Sequence, residues 1–167
     1  MGVARSNRDS DRAARKPAAA RRSTNGRAPR ATRSSPLEFT IPSVLSAARE
    51  VHKTIMDAVE RAKYDEQSLF AIRLALEEGL MNAVKHGNRL DPKKKVHVAA
   101  RVTPSSTEIE IEDQGKGFDR CCVPDPCAAE NLLKCSGRGI LLMEAYMDKV
   151  EYSQSGRRVR MVKRNEK

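Results

Sequence analysis

The sequence lacks several features that mark common classes of protein. No apolar run approaches the roughly 20 residues that a membrane-spanning helix needs, and no apolar stretch follows the N-terminus as it does in a secretory signal. No G-K-[ST] sequence follows the glycines, which excludes the phosphate-binding loop of P-loop enzymes. We therefore expect a cytoplasmic protein with no membrane partner.

The four cysteines do not form a metal-binding pattern. Cys121, Cys122, Cys127 and Cys135 lie in one short segment without a C-x-x-C pair. A structural zinc site usually shows two such pairs, or histidines at fixed spacing. Adjacent cysteines would bridge each other only with strain, so we expect free thiols in a reducing cytosol and no zinc site.

The positive charge is concentrated at the N-terminus. Of the net charge of +10, residues 1–36 carry +8, and residues 37–167 are close to neutral. Residues 1–36 contain almost no large aliphatic side chain, so we expect a disordered basic tail before one domain, 37–167. The tail fits a transit peptide, a loose contact with nucleic acid or an acidic partner, a solvating tail or a mis-assigned start codon. It has no aromatic residue for base stacking, which argues against sequence-specific recognition of nucleic acid.

The rest of the sequence alternates between helical and strand patterns. Apolar residues at three- and four-residue spacing predict helices at 44–62, with Ser43 as cap, and at about 66–85, with Asp65 as cap and a left-handed Gly87 as stop. Residues 140–147 predict a third helix. Two-residue alternation or flanking turns predict strands at 37–41, 96–102, 107–113, 149–152 and 157–163.

The second helix carries an acid and an amide one turn apart. Glu78 and Asn82 fall outside its apolar arc, on a stripe with Ala71 and Ala75. A carboxylate can act as a general base, and an amide oxygen can bind Mg²⁺. We expect the small alanines to leave room for a ligand, although a solvated helix face also fits this pattern.

Two glycine segments follow. Asp113 ends a strand and, by two-residue alternation, points to the same inward side as Ile109 and Ile111. Burying a carboxylate costs free energy unless a donor hydrogen-bonds to it. Gly115 and Gly117, directly after it, allow a close backbone approach or positive φ. Residues 119–136 form a long loop, which predicts a functional lid. Glycines that lead into a helix, as at residues 136–140, predict an anion site.

Together these motifs resemble the GHKL ATPase superfamily over residues 37–163. Within it they are most similar to the anti-sigma-factor serine/threonine kinases of bacteria. The matching stretches are residues 77–88, 113–119 and 136–143. The resemblance implies the Bergerat, or histidine-kinase-like ATPase, fold. This is an α+β two-layer sandwich with a mixed, mostly antiparallel sheet and helices on one face.

The resemblance also implies roles for individual residues. Glu78 would take the proton from the attacking serine, and Asn82 would coordinate Mg²⁺ on ATP. Asp113 would accept from the adenine amino group, with Gly115 and Gly117 close to base and ribose. Lys85, His86 and Asn88 would lie near the phosphate end, and Lys134 or Arg138 could stabilise transferred charge. Phosphates would be held by Ser136, Gly137, Arg138, Gly139 and Ile140.

The function implied is an ATP-dependent serine/threonine protein kinase. It would phosphorylate an anti-anti-sigma (STAS-type) antagonist and sequester a sigma factor, and the resemblance also implies a homodimer. An ATP-gated protein-binding switch with little catalysis is the alternative. The sequence departs from the family pattern at three places: Cys135 replaces a basic residue, Gly156-Arg157 replaces Gly-Thr, and Gly79 replaces Ala. We expect these departures to affect the contacts with the phosphates and the catalytic rate more than ATP binding.

Overall fold

A computed structural model describes residues 35–117 and 138–166 of the chain. The predicted lid at 119–136, all four cysteines, Lys134, Ser136, Gly137 and nearly all of the basic tail lie outside the described residues. The elements in chain order are β1 (Leu37–Pro42), α1 (Leu45–Arg61), α2 (Glu66–Met81), a π-helix (Asn82–Gly87), β2 (Lys95–Val102), β3 (Ser106–Asp113), α3 (Arg138–Tyr146), β4 (Lys149–Ser153) and β5 (Arg158–Arg164).

The strands form one five-stranded sheet in the order β1-β2-β3-β5-β4. Each neighbouring pair that the structure describes is antiparallel. The predicted α+β fold is confirmed, and the sheet has no parallel pair within the described residues. The swap of β4 and β5 places the end of β3 beside the start of β5, which matters for the site below.

The two faces of the sheet differ in chemistry because side chains alternate along each strand. One face packs on the helices, and the core there includes Ile109 and Ile111 of β3 with Met161 of β5. The opposite face carries charged ladders, in which Arg158 pairs with Glu112 and Arg160 with Glu108. The helices and sheet therefore make two layers around a single core. No helix in the described part is long and apolar enough to span a bilayer.

The two predicted helix caps have different outcomes. Asp65 caps α2 as predicted, because its Oδ1 accepts a hydrogen bond from the Ser68 amide at 2.8 Å. The predicted cap by Ser43 is wrong. Its hydroxyl donates to the Val84 carbonyl at 3.4 Å, and α1 begins after Val44 with no side-chain cap. Ser43 instead joins the start of α1 to the π-helix from a fully buried position.

The second helix changes its winding where the site begins. It is α-helical to Met81 and then continues for six residues as a π-helix, an element that is rare and concentrated at functional sites. Gly87 is part of this π-helix, so the predicted left-handed stop at Gly87 is wrong. The left-handed residues are the two that follow Asn88, namely Arg89 and Leu90, with φ of 57° and 58°.

Candidate active site

Glu78 and Asn82 lie one helical turn apart at the end of α2. The backbone amide of Asn82 donates to the Glu78 carbonyl, which fixes the spacing that the sequence predicted. Both side chains are half-buried. The alanines of the same stripe do not leave room for a ligand: Ala71 and Ala75 are 1% and 0% exposed.

The Glu78 carboxylate meets the start of α3. A Cβ atom on Gly139 would overlap Glu78 Oε2, so the carboxylate lies in the space that a side chain at this turn would take. A carboxylate is favourably placed near a helix N-terminus, where amide groups point outward. We call Glu78, Asn82 and Gly139 the Glu78 cluster. It brings together the first and last of the predicted motifs.

Gly79, a departure from the family pattern, has a structural reason. A Cβ atom there would lie 2.8 Å from Ile111 Cδ1 and 3.3 Å from Met161 Cε. The absence of a side chain at Gly79 therefore allows α2 to approach the sheet closely, directly beside Glu78. Glycine has a low helix propensity, so this close approach costs some helix stability.

Asp113 is the centre of a second cluster. It is only 8% exposed and faces the helical layer, as its parity predicted. Its Oδ1 accepts a hydrogen bond from the Gly115 amide at 2.7 Å, and among the described residues Oδ2 has no donor. Burial raises the pKa of this carboxyl, and the Gly115 hydrogen bond opposes the rise. The second oxygen therefore has acceptor capacity that a ligand amino group could satisfy.

Two glycines make room for this carboxylate. A Cβ on Gly87 would lie 2.5 Å from either oxygen of Asp113, and a Cβ on Gly115 would overlap the Gly87 carbonyl. The end of the π-helix and the start of the loop after β3 are therefore in direct backbone contact around the acid. We call Asp113, Gly87 and Gly115 the Asp113 cluster. Of the two loop glycines, only Gly117 has positive φ, at +77°.

Asn88 connects the π-helix to the sheet. Its side chain is fully buried, its Nδ2 donates to the Lys95 carbonyl at 2.9 Å, and its Oδ1 accepts from the Gln114 amide at 2.9 Å. The prediction that Asn88 lines the phosphate end is wrong, because both ends of its amide bind the backbone. A polar residue between a helix stop and a turn is normally exposed, so no local pattern indicates this role.

The remaining predicted residues that the structure describes are exposed or half-buried. Lys85 and His86 are exposed on the π-helix between the two clusters. Arg138 is exposed at the start of α3, and Ile140 is half-buried. Arg157, predicted to affect the phosphate end, lies instead beside Asp113, because its carbonyl accepts from the Asp113 amide at 3.0 Å.

The two clusters suit opposite ends of one elongated ligand. Glu78 and Gly87 are nine residues apart on the same continuous helical segment, a separation of about 13 Å at most, since a π-helix rises less than an α-helix per residue. That separation is comparable to the length of a nucleoside triphosphate. Among the described residues no group of three His, Cys, Asp or Glu side chains could hold a metal.

Comparison with known proteins gives a consistent result. The family model described as "Histidine kinase-like ATPase domain" matches residues 41–163. A "Serine-protein kinase RsbW" from Bacillus velezensis is 30% identical over 134 residues, which cover 76% of this chain and 84% of the relative. An "Anti-sigma F factor" from Clostridium perfringens is 29% identical over 99 residues, covering 58% of this chain and 71% of the relative.

A solved structure also resembles the fold. It contains the RsbU and RsbW domains of a Mycobacterium tuberculosis protein and matches with a TM-score of 0.52 at 18% identity. The match covers 79% of this chain but only 32% of the longer solved chain. At this identity the likeness supports the fold alone.

Proposed function

Because this chain belongs to the histidine kinase-like ATPase family, and within it to the anti-sigma serine-protein kinases, we propose that it transfers phosphate from ATP to a serine of an anti-anti-sigma antagonist. In the same proposal it sequesters a sigma factor until that antagonist, in its unphosphorylated form, displaces it. The protein is thus an ATP-dependent serine/threonine kinase and an anti-sigma regulator.

The observation that supports the catalytic assignment best is the contact between Glu78 and Gly139. It places a general-base candidate at the N-terminal turn of α3, where backbone amides can bind phosphate. Phosphoryl transfer depends mainly on positioning and charge neutralisation, and little covalent chemistry falls to the protein. In this proposal Glu78 accepts the proton of the attacking serine hydroxyl while the start of α3 orients the phosphates.

The other residues have supporting roles. Asn82, one turn beyond Glu78, would supply an amide oxygen to Mg²⁺, and the ion would neutralise charge on the triphosphate. Asp113 would accept from the adenine amino group through its second oxygen. Ser136, Gly137, Arg138, Gly139 and Ile140 would hold phosphate together with Lys85.

Kinase activity can be tested by phosphate transfer from labelled ATP in the presence of Mg²⁺ to small antagonist proteins encoded nearby. We expect Glu78→Gln to lose transfer while keeping ATP binding, and Asn82→Ala to lose Mg²⁺-dependent ATP binding. Glu77→Gln is the matched control, because Glu77 is the adjacent acid and is exposed on another face of α2. Equal transfer by Glu78→Gln and Glu77→Gln would contradict the role of Glu78.

The same assay separates the alternative function. ATP binding without transfer to any candidate antagonist would favour an ATP-gated protein-binding switch.

We further propose a cytoplasmic location, a homodimer, and a domain at 37–167 behind a basic tail at 1–36 that is dispensable for catalysis. If the tail alone contacts nucleic acid, its deletion should abolish that binding, and persistence of binding in the 37–167 fragment would contradict the idea.

A further inference from the structure

Two exposed aromatic rings meet on the outer surface of the helical layer. Phe70 of α2 and Tyr146 of α3 are 54% and 39% exposed, and their ring centroids lie 5.5 Å apart in an edge-to-face arrangement. Gly79 packs on the sheet and follows Phe70 by about two and a half helical turns, so Phe70 faces away from the sheet. Large apolar side chains gathered on a surface commonly mark a contact with another molecule.

This apolar surface extends over both helices. On α2 the half-buried Leu74 comes one turn after Phe70, and on α3 the half-buried Leu142 comes one turn before Tyr146. The solvent-facing side of α3 adds an alanine and Leu141, which is 40% exposed. The residues that make up this surface, which we call the apolar patch, are Phe70, Leu74, Leu141, Leu142, Ala145 and Tyr146.

The apolar patch continues into the Glu78 cluster. Phe70, Leu74 and Glu78 are spaced four residues apart and form one ridge along α2. The α3 helix runs beside this ridge in the opposite direction, because Tyr146 meets Phe70 at one end and Gly139 meets Glu78 at the other. The rise along α2 from Phe70 to Glu78 is about 12 Å. A protein that covers the patch therefore has its neighbouring loops within reach of the proposed general base.

The charged residues beside the patch on α2 do not favour a partner of either sign. Arg73 and Glu77 flank it with opposite charges, and Arg73 also pairs with Glu60 of α1 at 3.1 Å. A nucleic acid would need a group of cations to neutralise its phosphates, and these flanking residues do not supply one. The partner that fits this surface is a protein with an apolar face, since aromatic side chains often provide the main contacts in such interfaces.

We propose that the apolar patch is the docking surface for the protein substrate, the antagonist that carries the acceptor serine, and that it binds an apolar face next to that serine. This inference rests on the proposed function. Binding energy from parts of a substrate that do not react serves to position the group that does, here a single hydroxyl at Glu78. A second copy of the chain on this patch would lie along the same ridge and obstruct the approach to Glu78, which favours the substrate as the occupant.

The test measures kcat and the KM values for ATP and for the antagonist, in phosphate transfer by the full chain to the antagonist that the wild type phosphorylates. Phe70→Gln and Leu141→Gln replace exposed side chains with a residue of good helix propensity, so both variants should fold. Each should raise the KM for the antagonist about tenfold and leave kcat and the KM for ATP unchanged. Phe70→Tyr, which keeps the ring, should stay close to the wild type.

Leu90→Gln is the matched control, since Leu90 is 50% exposed but lies after the π-helix, in neither α2 nor α3. It should leave all three constants unchanged. If Phe70→Gln and Leu141→Gln have the same KM for the antagonist as Leu90→Gln, the inference is wrong.

The same variants distinguish the other possible occupants of the patch. Loss of sigma-factor binding with an unchanged KM for the antagonist would assign the patch to the sigma factor and overturn the inference. A change from dimer to monomer in sedimentation, again with that KM unchanged, would assign it to a second copy and also overturn it. An equal rise in both KM values would show a structural effect on the ATP site instead of docking. Absence of phosphate transfer by the wild type to any antagonist would refute the proposed function itself.

Discussion

Asn88→Ala should be among the most destabilising single changes near the site. The mutation removes two hydrogen bonds of a fully buried side chain, one to the Lys95 carbonyl and one from the Gln114 amide, each 2.9 Å long. Each backbone group left without a partner costs about 1–2 kcal/mol, so the two together give about 2–4 kcal/mol. In a domain of this size each kcal/mol lowers Tm by about 3–6 °C, which predicts a fall of about 6–24 °C.

The measurement is urea denaturation, with Tm from calorimetry as a second probe. Asn165→Ala is the matched control, because Asn165 also makes two side-chain hydrogen bonds, to Pro104 and Asp65, but is half-exposed. Water can replace its partners, so the cost should stay below about 1 kcal/mol. Asn88→Asp, which has nearly the same volume, should also destabilise because it cannot donate to the Lys95 carbonyl. If Asn88→Ala costs no more than Asn165→Ala, our account of the Asn88 bridge is wrong.

Two further predictions concern the site itself. Gly139→Ala should displace the Glu78 carboxylate and reduce phosphate transfer by about tenfold or more, while alanine slightly favours the helix; a normal rate with unchanged Tm would contradict the contact. Asp113→Asn should abolish ATP binding yet leave stability equal or higher at neutral pH. Burial raises the folded-state pKa of Asp113, so its contribution favours folding below the unfolded pKa and is lost as pH rises through the folded pKa. Urea denaturation at about pH 4 and about pH 7 should show the mutant gaining relative to wild type at the higher pH.

The parts of the fold that sequence predicted are those governed by neighbours in the chain. The inward direction of Asp113 followed from the alternation of Ile109 and Ile111, because side chains in a strand face opposite sides in turn. The Asp65 cap depended on an amide three residues away. In both cases the relevant partner lies within one turn or one strand.

The parts that sequence could not predict depend on distant partners. Ser43 is a residue type that often caps helices, but its hydroxyl donates to a carbonyl 41 residues away. Gly87 is a residue type that often ends helices. The structure instead uses the glycine because a Cβ there would collide with the Asp113 carboxylate, 26 residues further on. The alanines beside Glu78 are equally ambiguous, since periodicity does not reveal which neighbour covers a helix face. Local patterns identified these residues as special but assigned the wrong reason.

Asp113 shows how the fold and the function are connected. Its burial makes ionisation unfavourable, and two glycines exclude side chains that could have filled the space around it. A leucine or valine at this inward position would suit the core better, so folding alone does not explain the acid. A ligand donor at the second oxygen would offset this cost. The same argument extends to Gly139, where the missing side chain makes room for another carboxylate. Both acids are therefore placed by backbones that come unusually close, and a ligand between them would bind to groups that are already fixed in position.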